Sequence, residues 1–197
     1  MDYNSAETEI LKDLQQRLPA DYHFHNLEHT RDVVAAVAFL AEKCACTKEE
    51  TLWLKTAALC HDTGYMVKDV KNEEIGADYA RKKLPAYGYS EADLQIICRL
   101  ILATSFPYNP KERLEYVICD ADLYYILTDR FAVRAELLRR EFAGRGHKYN
   151  DQEWYNLEKN FLNQITFYTD YARGVYAGLK PGLLDKIERT FRSITHE

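Results

Sequence analysis

Apolar residues recur at three- and four-residue intervals from one end of this sequence to the other, and no segment alternates with the period of two that a half-buried strand requires. A chain patterned in this way buries helix stripes, not sheet faces. Val33, Val34, Val37, Leu40, Ala41 and Cys44 form one such stripe, and the spacing predicts a helix from about Leu27 to Cys44 with Asn26 as its N-cap. Thr47-Lys48-Glu49-Glu50 reads as the capping box of a second helix that delivers His61 and Asp62 at its C-terminal end. There Gly64 is expected to take the left-handed conformation that stops a helix. A helix from Ile75 to Leu84 should end at Pro85, and Ser90-Glu91-Ala92-Asp93 should begin another with Leu94, Ile97 and Ile101 in the core. Pro110 suits a first helical turn, after which Leu114, Val117, Ile118, Ala121 and Tyr125 mark one face of a helix carrying Asp120 and Asp122. Further helices are expected from Ala132 to Phe142, from Glu153 to Tyr168 and from Leu183 to Ile194. With eight glycines and five prolines in 197 residues, a turn-rich all-β fold is disfavoured. The expected class is all-α, a single-domain helical bundle of about eight or nine helices joined mostly by short loops.

Several functions are set aside on charge and hydropathy. Lys and Arg number 26 against 31 Asp and Glu, so the formal charge of -5 gives no general pull toward nucleic-acid phosphates. The longest uncharged stretch, Leu100 to Pro110, is far short of the about 20 apolar residues of a membrane span. Met1-Asp2-Tyr3-Asn4-Ser5 lacks the basic start and apolar run of a signal peptide, so a soluble, cytoplasmic protein is expected. Five cysteines, an odd number, read as reduced thiols. Cys44-Ala45-Cys46 has no second cysteine pair with which to build a soft-metal site.

Four polar positions are unexpected beside apolar helix faces: His29, the pair His61-Asp62, and one aspartate of Cys119-Asp120-Ala121-Asp122. At about 100° per residue, His29 and Asp122 each fall about 75° from the mean direction of their apolar stripe, and Asp120 about 125° away. Asp122 is therefore the better inward candidate. A buried carboxylate needs a counter-ion or a metal, and two imidazoles with two carboxylates make a mixed donor set suited to Mn, Fe, Co, Ni, Zn or Mg.

These residues fall in the order of a known pattern. The sequence resembles the HD superfamily of metal-dependent phosphohydrolases, whose signature is a His, a later His-Asp dipeptide and a distant Asp. Tyr22-His23-Phe24-His25-Asn26-Leu27-Glu28-His29-Thr30 is similar to the family's Y-H-N-x-x-H-T pattern, with an additional His-Phe after the tyrosine. Ala57-Ala58-Leu59-Cys60-His61-Asp62-Thr63-Gly64-Tyr65 is similar to A-A-L-F-H-D-T-G-Y, and Asp120-Ala121-Asp122-Leu123 to D-A-D-L. With Glu153-Trp154 and Phe161-Leu162, the likeness points to the predicted small-molecule phosphohydrolase branch and covers about residues 22–169. The resemblance implies a single HD-type domain over residues 1–197, with a core at 22–169 and C-terminal helices at 170–197 packed on it. It implies His29, His61, Asp62 and Asp122 as ligands of a divalent metal ion.

The implied chemistry is hydrolysis of a phosphate ester or anhydride in a small phosphorylated molecule, with a nucleotide favoured. Asp62 would also orient water, His25 would support the site or carry a proton, and Glu73 would act as base or water-holder. Glu73 can equally be read as an acidic first-turn residue. Arg145 and Lys148, in the loop Gly144-Arg145-Gly146-His147-Lys148, are the candidates for gripping phosphate, although a solvated turn explains them too. Asn72-Glu73-Glu74 stands where close relatives often carry His-Glu, which leaves one tightly held ion as the expectation. The Glu-Asp that follows His-Asp in guanosine tetraphosphate hydrolases is absent, as is the G-Y-P segment of cyclic-dinucleotide phosphodiesterases. A metal-retaining but idle ligand-binding or signalling module, and an iron-dependent oxygenase, are the alternatives.

Overall fold

The computed structural model describes the backbone of residues 1–195 and side chains through residue 187; His196, to which the sequence assigns no role, and Glu197 lie outside the described residues. Nine α-helices and three 3-10 turns are found among the described residues, with no strand. The helices are α1 (Tyr3–Arg17), α2 (Leu27–Lys43), α3 (Lys48–Cys60), α4 (Asn72–Lys83), α5 (Glu91–Ala103), α6 (Arg113–Asp122), α7 (Phe131–Gly144), α8 (Asp151–Gln164) and α9 (Asp170–Thr195). The 3-10 turns are Thr63–Met66, Leu84–Tyr87 and Tyr124–Leu127. None of the described helices is long and apolar enough to cross a membrane.

Side-chain caps begin the helices where the sequence predicts them. Asn26 Oδ1 accepts the His29 amide at 3.0 Å. Thr47 with Glu50 and Ser90 with Asp93 form reciprocal capping boxes at the starts of α3 and α5. Each satisfies amides that the first helical turn leaves unpaired. The apolar stripes then close two hydrophobic clusters. Helices α1 to α6 bury Leu14, Leu40, Leu54, Leu59, Ile97, Ile101 and Ile118 completely, each burial contributing roughly 1.5–3 kcal/mol. A second cluster gathers Ile126, Phe131, Trp154, Leu162 and Phe167 between α7, α8 and α9.

Several boundaries differ from those expected, each for a local reason. Helix α1 escapes the sequence reading because its apolar residues Tyr3, Ala6, Ile10, Leu11 and Leu14 are sparse among polar ones. Gly64 is not a left-handed stop: it lies within the turn Thr63–Met66, and a Cβ there would stand 2.1 Å from the Asn72 carbonyl oxygen. Close approach of α4, not backbone conformation, requires that glycine. The same helix begins at Asn72, ahead of Ile75. Pro110 precedes α6, whose first turn is organised by the Glu115 carboxylate accepting the Lys111 amide at 2.6 Å and the Glu112 amide at 3.3 Å. Tyr125 lies in the 3-10 turn beyond α6. Residues 170–195 form one helix running through Pro181, so the C-terminal segment starts well before Leu183.

Helix α8 ends at Gln164, short of Tyr168, because Asp120 captures the backbone there. Its carboxylate accepts the Tyr168 and Thr169 amides at 2.8 Å each, and Asp120 is fully buried. The helix-direction argument correctly turns Asp120 away from Asp122, but toward a second partner and not toward water. Asp120→Ala leaves two inward-facing amides without an acceptor, so the unfolding free energy should fall by about 2–4 kcal/mol. Urea unfolding measures this, and a loss under about 0.5 kcal/mol would show that the loop finds other acceptors.

Candidate metal centre

Three helix ends carry the polar residues that interrupt the apolar stripes. His29 sits in the first turn of α2, His61 and Asp62 follow the last turn of α3, and Asp122 is the final residue of α6. Their inner atoms converge. His29 Nε2 and His61 Nε2 are 3.4 Å apart. Asp62 Oδ2 lies 3.5 Å from the first and 3.2 Å from the second, while Asp122 Oδ1 lies at 3.1 and 3.6 Å. Neighbouring donors around one ion with bonds of about 2.0–2.2 Å are separated by about 2.9–3.6 Å in octahedral or tetrahedral geometry. These spacings suit a single divalent cation at His29, His61 and Asp122, whose donor atoms all lie within 4.8 Å of one another, with Asp62 against both imidazoles.

Three of the four, His61, Asp122 and Asp62, are held from behind so that one atom remains turned inward. His61 Nδ1 donates to the Ala58 carbonyl at 2.7 Å, which leaves Nε2 as its ligating nitrogen. Tyr108 donates its hydroxyl to Asp122 Oδ2 at 2.7 Å, leaving Oδ1 for the centre. Asn72 Nδ2 donates to Asp62 Oδ1 at 3.3 Å, and Asp62 Oδ2 is buried with no hydrogen-bond partner. An orphaned carboxylate oxygen between two imidazoles is what a cation would satisfy. Helix α4 supports this corner at close range, since a Cβ on Gly76 would come within 2.8 Å of the Cys60 carbonyl.

The charges are strongly interdependent. Burial opposes a charge on His61, but Asp62 and Asp122 outweigh it and hold the imidazolium well above the ordinary histidine range. His29 goes the other way, because its burial prevails over the same carboxylates. Burial opposes ionisation of both aspartates, yet the imidazoles hold Asp62 at about 2 and Asp122 well below the ordinary carboxylate range. Without an ion the site keeps positive charge on imidazole; a dication must displace that proton, which couples binding to pH.

A cleft of about 270 Å³ opens beside His29 and Asp122, with Asp32, Phe39, Tyr124, Tyr125 and Arg130 on its walls. Arg130 donates to both Asp32 oxygens at 2.8 and 2.7 Å and also pairs with Glu28. On another side the His25 ring stacks on Tyr65 at 4.5 Å and stands edge-on to His29 at 6.0 Å. Its Nδ1 lies 2.5 Å from Glu141 Oε1. Burial opposes charge on His25, but Glu141, aided by Asp62, raises its affinity for a proton. Glu73 is half-buried on the first turn of α4, and burial together with the negative charges of Asp62 and Asp122 pushes its carboxyl up.

His29, His61, Asp62 and Asp122 are thus brought together, with His25 and Glu73 in their surroundings. Arg145 is farther out: its guanidinium lies 3.7 Å over the Tyr22 ring, between Asp21 and Asp69. Lys148 is exposed, and neither residue lines the cleft. Arg130 is the cation on the cleft wall, and the sequence reading passes over it together with Tyr108, Glu141 and the holding role of Asn72. No short-range pattern marks these residues. Cys44 and Cys46 are free thiols, and Arg113 Nη1 approaches Cys46 Sγ at 3.2 Å.

Comparison with known proteins shows the family and the fold. A family model described as HD domain matches residues 26–126. Bacillus subtilis YpgQ, solved in complex with ADP, superposes with a TM-score of 0.70 at 20% identity, covering 98% of this chain and 97% of that one. A Lactobacillus plantarum protein gives 0.70 at 20% identity over 100% of both chains. A predicted HD superfamily hydrolase from an uncultured Thermotogales bacterium gives 0.63 at 18% identity over 94% of this chain and 91% of that one. At such identities the likeness shows the fold. No curated protein matches the chain.

The geometry yields two expectations for metal content. His61→Ala and Asp122→Ala should each lose the ion while helical circular dichroism is kept, whereas Asp120→Ala should retain it; stoichiometric metal in either ligand variant would refute the assignment. Tyr108→Phe removes only the hydrogen bond behind Asp122, and metal affinity measured by chelator competition should fall about 10–100-fold. Unchanged affinity would mean that Asp122 is oriented by its helix alone.

Proposed function

Because this chain belongs to the HD domain family, we propose that it is a metal-dependent phosphohydrolase acting on a phosphate ester or anhydride of a small molecule, with a nucleotide the favoured class. The observation that carries this reading is that both imidazole nitrogens lie 3.1–3.6 Å from each of the two carboxylates and from one another, with Asp62 Oδ2 lacking any hydrogen-bond partner. His29, His61, Asp62 and Asp122 would hold one divalent ion, drawn from Mn, Mg, Fe, Co, Ni and Zn. Such an ion supplies concentrated positive charge that acidifies water toward neutrality and offsets the charge of phosphate oxygens.

The chain's own residues do the rest. Asp62, fixed by Asn72, orients the attacking water, and His25 carries a proton at the nitrogen that Glu141 does not occupy. Glu73, on the first turn of α4, offers an acceptor whose raised proton affinity suits water-holding. The cleft walls supply Phe39, Tyr124 and Tyr125 for a planar ring, beside Arg130 in its pairs with Asp32 and Glu28. Arg145 and Lys148 are left as outer contacts for an extended substrate. The ADP bound by the Bacillus subtilis relative supports a phosphorylated ligand of this size.

Protein purified without added metal should contain one tightly held ion per chain by elemental analysis. Screened against phosphate monoesters, nucleoside phosphates and cyclic diesters, it should release phosphate or a nucleotide product in a metal-dependent manner. Two tightly held ions in the substrate-free protein would overturn the single-ion reading. Nucleotide binding without turnover would establish an idle binding module, and oxygen consumption with bound iron an oxygenase.

A further inference from the structure

Helix α7 carries two charged residues that are almost entirely hidden from solvent, Arg134 at 0% exposure and Glu141 at 2%. They are seven residues apart and therefore share one face of the helix. Both are directed at the same short segment, Phe24-His25, which leads into α2 and its His29. Arg134 Nη2 donates to the Phe24 carbonyl at 2.6 Å, and its guanidinium lies 4.4 Å over the Phe24 ring. Glu141 Oε2 accepts the Phe24 amide at 2.7 Å and the His25 amide at 3.0 Å, while Oε1 faces His25 Nδ1 at 2.5 Å. Phe24 belongs to the His-Phe by which the segment departs from the pattern it resembles.

Burying charges in this way is an expensive means of anchoring a loop. Arg134 Nε and Nη1 have no hydrogen-bond partner, and apolar residues of similar volume would hold Phe24 with less desolvation. What apolar residues could not do is choose a nitrogen on His25. A carboxylate against Nδ1 requires a proton on that atom and leaves Nε2 as the ring nitrogen available for chemistry. Stacking on Tyr65 and the two backbone bonds then prevent the ring from turning.

We infer that Glu141 is the positioning residue for His25: with Arg134 it clamps the Phe24-His25 backbone and keeps the imidazole protonated at Nδ1, so that Nε2 faces the reaction. The inference rests on the proposed phosphohydrolase reading for its use of that nitrogen. In the step served, the bond from phosphorus to the leaving oxygen breaks with its electron pair on that oxygen, which takes the proton from His25 Nε2. Water forms the new bond to phosphorus and releases one proton to solvent, from which His25 is recharged, so protons balance over the cycle. Glu141 neither gains nor loses one.

The tautomer can be read without any substrate. In full-length protein loaded with Mg²⁺ and labelled with ¹⁵N-histidine, His25, assigned by comparison with His25→Gln, should show a proton on Nδ1. A proton on Nε2 alone in the unaltered protein would overturn the inference, and no variant is needed to see it. In Glu141→Gln the amide oxygen can still accept the backbone amides while its NH₂ donates to Nδ1, so the proton should move to Nε2. Metal content should be unchanged. On the best substrate of the screen, kcat should fall about 10²-fold with KM within about twofold, and Glu141→Asp should recover part of it. An unchanged tautomer in a folded Glu141→Gln protein, or an equal loss of kcat in Glu141→Gln and Glu141→Asp, would also refute the inference. If the unaltered protein turns over nothing, the phosphohydrolase reading fails, while the tautomer still decides the role of Glu141.

Discussion

Two carboxylates and two imidazoles meet in a place where water hardly reaches, and much of the fold can be understood as the means of holding them there. Such a cluster is tolerable only if opposite charges balance at short range. The contributing ends of α3 and α6 are C-terminal, where unpaired carbonyls add partial negative charge that favours a cation. Helix α2 offers its opposite end, and the residue it contributes is a neutralisable imidazole and not a third carboxylate. Asp62 and Asp122 thus stand at negative helix ends, where the helix dipoles oppose their charge and a cation offsets it.

Around that cluster lies a layer of hydrogen-bonding groups that set direction. Tyr108, Asn72 and the Ala58 carbonyl each engage the outer atom of a ligand and thereby select the inner one. The layer draws on both halves of the molecule. Tyr108 is itself touched by Tyr168, whose hydroxyl donates to the Tyr108 carbonyl at 3.2 Å. Arg130, Arg134 and Glu141 reach from the second hydrophobic cluster to α2 and the segment before it. Polar bonds therefore join two apolar clusters across the site, and the geometry of the centre depends on both.

How much of this was legible in the sequence follows the range of the interactions. Caps such as Asn26, Thr47 and Ser90 act over three residues and can be read directly. So can His29 and Asp122, because each interrupts an apolar stripe. Glu141 cannot, since it meets Phe24 across 117 positions of chain, and nothing near it in sequence announces the partner. Helix α9 defeats local propensity: Pro181 and three nearby glycines argue against a helix that packing on α8 sustains. The family likeness supplied the ligand set that spacing alone left as four separate oddities.

Asp120 and Asp122 lie two residues apart and so point about 200° apart around α6, one into the loop before α9 and the other into the centre. The helix is in effect keyed on opposite sides, and no rotation satisfies one key without the other. Gaining or losing a single residue upstream within α6 would turn both by about 100° and unseat them together. Over evolutionary time this segment can therefore exchange side chains but can hardly change length. Alignments of divergent relatives should place their gaps accordingly, leaving the ten residues of α6 unbroken.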